Sequence, residues 1–255
     1  MVTPLAGVRI AVTRAGDRNL AVASALREAG ATVHEIPLTC IESLSQAPLV
    51  AAIAALASYN WVLLTSANAV DHLARAVTAE TAHLLRTRKF AVVGPATATA
   101  ADARGWRATL LPEHFSAESL VDAMSSRADV DGARMLYPSA QAARDVLPNG
   151  LRSLGAIVDV VPVYRSAPDP VGQERLRALA KDGALDLVTV AAPSAVDALL
   201  DALPAEYARR LPVACIGPVT ARAARLAGFP VRVESSAATA EGLVRSIVAA
   251  FAPLR

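Results

Sequence analysis

The chain contains itself twice, and this limits its architecture more than any other feature. Gly7-Val-Arg-Ile-Ala-Val-Thr-Arg-Ala is echoed 125 positions later by Gly132-Ala-Arg-Met-Leu-Tyr-Pro-Ser-Ala. The same offset relates Leu26-Arg27 to Leu151-Arg152, Gly30-Ala31 to Gly155-Ala156, and Pro37 to Pro162. Trp61-Val-Leu-Leu-Thr-Ser-Ala-Asn-Ala-Val-Asp matches Leu187-Val-Thr-Val-Ala-Ala-Pro-Ser-Ala-Val-Asp at an offset of 126. Ala91-Val-Val-Gly-Pro-Ala-Thr-Ala matches Ala214-Cys-Ile-Gly-Pro-Val-Thr-Ala at 123, and Ser116-Ala-Glu-Ser-Leu-Val matches Thr239-Ala-Glu-Gly-Leu-Val at the same offset. Solenoid units are far shorter than this. The repeat is a duplicated domain, and 255 residues are ample for two compact α/β domains.

Within each copy, short apolar runs alternate with helical spacing. Strands are expected at 8–13, 61–64, 90–93, 134–137, 185–190 and 212–216. Helices are expected over 20–29, stopped by Gly30; from Thr65-Ser66-Ala67-Asn68 to 79; from Gly94-Pro95 through 104; and over 240–251. Continuous apolar strands between helices indicate parallel sheets covered on both faces, a doubly wound α/β class. Two segments, 31–42 and 156–167, are long, extended and β-branched, each with a central proline (Pro37, Pro162). Their equivalence in the repeat suggests that they pair with each other as a two-stranded connector. The domains are then not tandem: residues 1–36 join 166–255, residues 42–156 form the other domain, and 37–41 with 157–165 form the linker.

Composition removes several function classes. Hydrophobic residues are 54% and charged residues 19%, which excludes a mainly disordered chain. Net charge is +2 without a cationic run, and aromatics are 4%, so neither a phosphate-binding face nor a base-stacking platform is expected, and no nucleic-acid partner. The basic charge is nearly all Arg, which suits carboxylate recognition, although Arg over Lys is also what an Ala-rich coding bias produces. Cys40 and Cys215 have no metal spacing and make no disulfide scaffold; His34, His72, His83 and His114 are scattered and read as surface or satisfied residues. No metal is expected. The uncharged stretch 43–70 is interrupted by Gln46, Pro48, Ser58 and Asn60, and its longest apolar run, 49–57, is too short to cross a bilayer. Residues 1–7 lack the pattern of an export signal. A cytoplasmic chain without a membrane partner is expected.

In open α/β sheets ligands bind beyond the carboxyl ends of the strands. The residues expected there are Thr13 and Arg14; Thr65, Ser66 and Asn68; Gly94, Pro95 and Thr97; Pro138 and Ser139; Pro193 and Ser194; Gly217, Pro218 and Thr220. Such loops at helix N-termini present backbone N–H groups and the positive end of the helix dipole. Each alone reads as an ordinary N-cap. Several together, in both copies, favour a polyanionic ligand shared between domains. Neither a dinucleotide nor a P-loop fingerprint is present, and no Ser-His-Asp or Cys-His set assembles. Tyr164, in Val163-Tyr164-Arg165-Ser166, ends the second connector segment. Its phenol is either an ordinary strand aromatic or a hydrogen-bond donor to a leaving oxygen.

Taken in order, Val12-Thr13-Arg14, Gly30-Ala31, Pro37, Leu64-Thr65-Ser66-Ala67-Asn68-Ala69-Val70, Val93-Gly94 with Thr97-Ala98, Val163-Tyr164-Arg165-Ser166, Pro193-Ser194 and Ile216-Gly217-Pro218-Val219-Thr220-Ala221 resemble the uroporphyrinogen-III synthase family, over nearly the whole chain from Gly7 to Phe251. The resemblance implies two flavodoxin-like domains joined by a two-stranded β linker. It implies an interdomain cleft for hydroxymethylbilane, a linear tetrapyrrole octacarboxylate, held by loop amides. The implied reaction loses the terminal hydroxyl to give an azafulvene, forms a spiro intermediate at the substituted carbon of the far pyrrole, and recloses with the last ring inverted. That is the step leading to haem, sirohaem and cobalamin. Tyr164 is the implied catalytic residue; Arg14, Thr65, Ser66, Asn68, Thr97, Ser139, Ser194 and Thr220 are the expected substrate contacts. No cofactor is implied, and the expected state is a monomer in transient contact with the upstream deaminase. Ala191-Ala192 departs from the hydroxyl residue that family members often carry there, which removes one polar contact from that loop. The rival reading is a non-catalytic tetrapyrrole- or polycarboxylate-binding module, which Tyr164 discriminates.

Overall fold

The computed structural model describes residues 3–14 and 17–251. In chain order the first elements are β1 (Arg9–Val12), α1 (Asp17–Glu28), β2 (Thr32–Glu35), β3 (Thr39–Ser43), α2 (Ala47–Ala54), β4 (Trp61–Leu64), α3 (Ala67–Ala76) and α4 (Ala79–Arg86). There follow β5 (Lys89–Val92), α5 (Pro95–Asp102), β6 (Ala108–Leu110), α6 (Ala117–Ser125), β7 (Arg134–Ala140), α7 (Val146–Ser153) and β8 (Ile157–Pro168). The last are α8 (Pro170–Lys181), β9 (Leu187–Val190), α9 (Pro193–Ala202), α10 (Ala205–Ala208), β10 (Val213–Cys215), α11 (Pro218–Leu226), β11 (Val231–Glu234) and α12 (Ala240–Phe251).

The chain divides into two compact units, Met1–Cys40 with Ala167–Arg255, and Ile41–Ser166. The first unit holds a sheet in the order β11-β10-β9-β1-β2; the second holds β3-β8-β7-β4-β5-β6. The repeat makes β1, β2, β4, β5 and β6 the counterparts of β7, β8, β9, β10 and β11. Each sheet therefore takes its first two strands from one copy and its last three from the other, and both run 2-1-3-4-5, the flavodoxin-like order. These core ladders are all parallel.

Alternation along the strands separates the two faces of each sheet. Ala11, Val188, Val190, Val213 and Cys215 pack with α8, α9 and α11 residues, whereas Ile10, Val12, Leu187 and Ala214 pack with Val22 and Leu26 of α1 and Leu243 and Ile247 of α12. In the second unit Val62, Leu64 and Val92 face α2, α3 and α5; Trp61, Leu63 and Ala91 face α6 and α7. Four-residue strands with every side chain buried, such as β4 and β9, need helices on both sides.

Where the copies exchange strands, one polar device appears in two versions. In the first unit the Arg9 main-chain N–H donates to Asp186 Oδ2 at 2.8 Å, and its guanidinium grips the same carboxylate at 3.0 and 2.8 Å. In the second unit the counterpart, Arg134, gives its main-chain N–H to Asn60 Oδ1 at 2.9 Å. A neutral amide offers no charge, and the Arg134 side chain turns instead to Asp159, at 2.9 and 2.8 Å.

The two connector segments pair with each other through β3 and β8, and three details of the expected elements differ. β2 of segment 31–42 joins β1, and Ile36 and Leu38 extend the contact by donating their N–H groups to the Val12 and Thr13 carbonyls at 2.9 and 3.2 Å; β3 begins beyond Leu38. β3 lies along β8, where Leu44 N–H donates to the Val163 carbonyl at 3.0 Å and Asp169 N–H to the Leu38 carbonyl at 2.9 Å, an antiparallel pairing. Residues 157–165, expected as linker, belong to a twelve-residue strand that pairs with β7 from Ile157 to Tyr164. Finally, the helix expected to reach residue 79 stops at Ala76. Val77 is extended, and a Thr78–Thr81 capping box starts α4, which the sequence reading lacked.

Hydrogen bonding from Arg9 holds the Asp186 carboxyl below the usual range. Its stabilisation is therefore complete above about pH 4 and lost as pH falls through the folded-state value. Asp186→Ala is expected to cost about 1–2 kcal/mol at pH 7, and Asp186→Asn less, because the amide still accepts the Arg9 N–H. Urea unfolding at pH 7 and pH 3 checks this; the gap between wild type and Asp186→Asn should shrink at pH 3.

Candidate active site

The carboxyl ends of β4, β7 and β8 gather the densest set of expected residues. β4 runs into Thr65 and Ser66, and Ser66 is the N-cap of α3: its extended backbone (φ −156°, ψ 155°) lets Oγ accept the Ala69 N–H at 3.1 Å. The same Oγ lies 2.9 Å from the Tyr164 hydroxyl. Thr65 Oγ1 stands 3.4 Å from the Tyr137 hydroxyl. Two phenols therefore converge on adjacent residues of one loop.

Tyr164 owes its aim to a bulge. In the β7–β8 ladder Ser139 pairs with Pro162, but Ala140 pairs with Tyr164, leaving Val163 as the extra residue. Strict alternation would put Tyr164 on the face opposite Val161 and Val163; instead all three pack in one cluster. Proline is tolerated at such a bulge. Tyr164 is 9% exposed, and its ring stacks on His72, with centroids 5.7 Å apart and 12° between planes.

The other expected residues of this unit lie on α3, α5 and β7. Asn68 is the second residue of α3 and half-buried; Thr97 is buried in the first turn of α5, behind Gly94 and Pro95. Ser139 is 1% exposed, and its Oγ has no hydrogen-bond partner among the described residues. Two further residues escaped the sequence reading. Tyr137 is buried, and desolvation pushes its phenol pKa up, so it stays protonated as a donor. His72 is buried on the core face of α3, between Ala69 and Leu73. A lone polar residue on an apolar helical stripe was the available signal.

The first unit carries a separate set. Thr13, expected as a loop ligand, is a structural residue: its buried Oγ1 donates to the Thr189 carbonyl at 2.8 Å, tying β1 to β9. Arg14 is exposed and lines a pocket of about 320 Å³ with Val12, Thr189, Ala191, Ile216 and Thr239, beyond the ends of β1, β9 and β10. This is the point where the strand order reverses, the usual ligand crevice of such sheets. Ser194 is exposed on the first turn of α9 and Thr220 is buried on the first turn of α11; neither lines that pocket. Ala192 occupies the N-cap of α9 that Ser66 occupies in the other copy, without a side-chain cap. Among the described residues no group of three or more His, Cys, Asp or Glu is placed to hold a metal ion, and no helix is long and apolar enough to cross a membrane.

The family model described as uroporphyrinogen-III synthase HemD matches residues 21–245. The uroporphyrinogen-III synthase of Synechococcus elongatus is 34% identical over 255 residues, 96% of each chain. The chain belongs to the uroporphyrinogen-III synthase family. A putative uroporphyrinogen-III synthase of Methanothermobacter thermautotrophicus is 31% identical over 221 residues, 84% of this chain and 87% of that one. Two solved structures share the α/β fold. A mutant uroporphyrinogen III synthase of the extremely thermophilic bacterium Thermus thermophilus has a TM-score of 0.61 and 22% identity, covering 96% of this chain and 98% of that one. The uroporphyrinogen-III synthetase of Helicobacter pylori has a TM-score of 0.64 and 15% identity, covering 95% and 99%.

Within this family member the two copies have unequal helix caps. Ser66→Ala should cost about 1 kcal/mol of stability, and Ala192→Ser, on a backbone already extended (φ −160°, ψ 158°), should add about 0.5–1 kcal/mol. Denaturant unfolding of both variants measures these opposite signs.

Proposed function

We propose that the chain is a working uroporphyrinogen-III synthase, closing hydroxymethylbilane into a macrocycle with its terminal pyrrole inverted and water released. The observation that carries this reading is the Tyr164 hydroxyl, shared with the helix-capping Ser66 at 2.9 Å, at the ligand end of a sheet in a chain of this family. Tyr164 donates its proton to the departing hydroxyl, which leaves as water. The resulting azafulvenium is attacked by the substituted α-carbon of the far pyrrole, giving the spiro intermediate; the bond from that carbon to its original methylene then breaks, and the methylene recloses on the free α-carbon of the same ring, which inverts it. That carbon loses its proton as the ring regains aromaticity, and the proton returns to the Tyr164 phenolate, so the cycle balances without an added co-reactant.

The substrate has eight carboxylates, and the chain answers with the starts of α3, α5, α9 and α11, where N–H groups and helix dipoles favour anions. Gly94 and Gly217 at two of these caps bring no side chain of their own to the helix start, where Phe115 and Ala238 stand 3.6 and 3.9 Å from the place a Cβ would take. Asn68, Thr97, Ser139, Ser194 and Thr220 add hydroxyl and amide donors, and Arg14 adds a cationic fork. Loss of the hydroxyl is intrinsically easy, so the main task is to hold a folded geometry in which the inverted closure outruns the direct one.

The test is an isomer assay. Hydroxymethylbilane made in situ by its deaminase is incubated with the purified chain, and the oxidised products are separated as uroporphyrin I and III. Isomer III should dominate. Tyr164→Phe should lower kcat about 100-fold while KM stays within about twofold. Isomer I at the spontaneous rate, from folded protein, would reject the activity in favour of a binding module.

A further inference from the structure

One helix holds Tyr164 from two sides. Ser66, at the N-cap of α3, bonds the phenol hydroxyl, and His72, six residues on, stacks on the ring at 5.7 Å. His72 is 2% exposed, and its own orientation is fixed by Gln46, whose Nε2 lies 3.2 Å from His72 Nδ1. The Gln46 Nε2 also donates to the Leu44 carbonyl at 3.1 Å. A carbonyl only accepts, so it determines which end of the Gln46 amide faces the ring. Nδ1 is then the acceptor, and the imidazole carries its proton on Nε2. Burial lowers the His72 pKa as well, with Arg75 adding to the effect and Asp71 opposing it, which keeps the ring neutral.

The arrangement closes on itself. Leu44 N–H donates to the carbonyl of Val163, the bulged residue just before Tyr164. Val163, Leu44, Gln46, His72 and Tyr164 thus form a ring of contacts around the phenol. It has a cost in stability. Gln46 stands at the N-cap of α2 yet makes no side-chain cap, and its Oε1 is buried without a hydrogen-bond partner among the described residues. A buried amide that leaves its oxygen unpaired while its nitrogen holds an imidazole indicates a positional task.

We propose that His72, oriented by Gln46, is a positioning residue that fixes the plane of the Tyr164 ring, so that the hydroxyl shared with Ser66 points at the oxygen that leaves. This rests on the reading of Tyr164 as proton donor. It assigns to the imidazole no proton transfer of its own and no contact with substrate. Loosening the ring should slow the loss of hydroxyl and leave substrate binding intact.

Wild type, His72→Leu, His72→Phe, Gln46→Met, Tyr164→Phe and the double variants His72→Leu/Tyr164→Phe and Gln46→Met/Tyr164→Phe would be compared for kcat, KM and thermal unfolding. His72→Leu should lower kcat about tenfold with KM within about twofold, and His72→Phe, which keeps a flat ring for the stack, should recover to within about threefold of wild type. Without the Tyr164 hydroxyl, His72→Leu should cost less than about twofold, because its effect passes through the missing group. Should His72→Leu not fold, Gln46→Met carries the same comparison, with a kcat loss of about threefold that disappears in the Tyr164→Phe background. Equal losses in both backgrounds, or a His72→Phe as slow as His72→Leu, would overturn the proposal. An inactive wild type, or a Tyr164→Phe with unchanged kcat, would instead refute the reading of Tyr164.

Discussion

The ladder between β1 and β9, with its counterpart between β7 and β4, joins strands contributed by different copies of the repeat. A βαβ half cannot satisfy its edge alone, since the inner edge of β1 or β7 presents a row of unpaired backbone groups. Each edge is met by the third strand of the other copy. The side chains at the foot of these ladders, Arg9 with Asp186 and Arg134 with Asn60, bind main chain to side chain across the same seam. At the top of the first, Thr13 bonds the Thr189 carbonyl. The exchange fixes both sheets and puts the reversal of strand order, where ligands bind, at the seam itself.

The exchange also dictates how the chain passes between units. It crosses once at Cys40–Ile41 and once at Ser166–Ala167, positions that lie on β3 and β8. Those strands pair, and β8 continues as an internal strand of the second sheet. Tyr164 sits three residues from the second crossing, after the Pro162–Val163 bulge. The element that carries the proposed proton donor is thus the element that joins the units.

Side chains at equivalent positions of the two sheets differ while the scaffolds stay alike. Ser66 and Ala192 occupy equivalent caps with nearly identical backbone angles, but only the serine has a hydroxyl to share with a phenol. Tyr137 in β7 has the aliphatic Val12 as its counterpart in β1. The hydroxyl cluster belongs to one unit; the pocket bordered by Arg14 belongs to the other. Duplication supplied two loop sets at helix starts, and substitution gave the second unit a polar network and the first unit a pocket bordered by Arg14.

Much of this is written in the sequence, because it depends on local periodicity and on self-similarity. The offsets near 125 specify equivalent strands, the apolar runs specify burial on both faces, and Ser66, Gly94 and Gly217 mark helix starts through ordinary capping chemistry. The order and spacing of the loop motifs carry the family. Tertiary structure decided the rest. The break of segment 31–42 into β2 and β3 depends on a change of neighbour at Leu38, whose N–H donates to the Thr13 carbonyl and whose carbonyl accepts from Asp169 N–H. The face of Tyr164 depends on a one-residue register shift against β7, and alternation read along β8 alone predicts the opposite side. The stack of His72 on that ring joins residues 92 positions apart, and its tautomer follows from a glutamine on a third element. Periodicity along the chain determines what is buried; register between strands distant in sequence determines where a buried hydroxyl points.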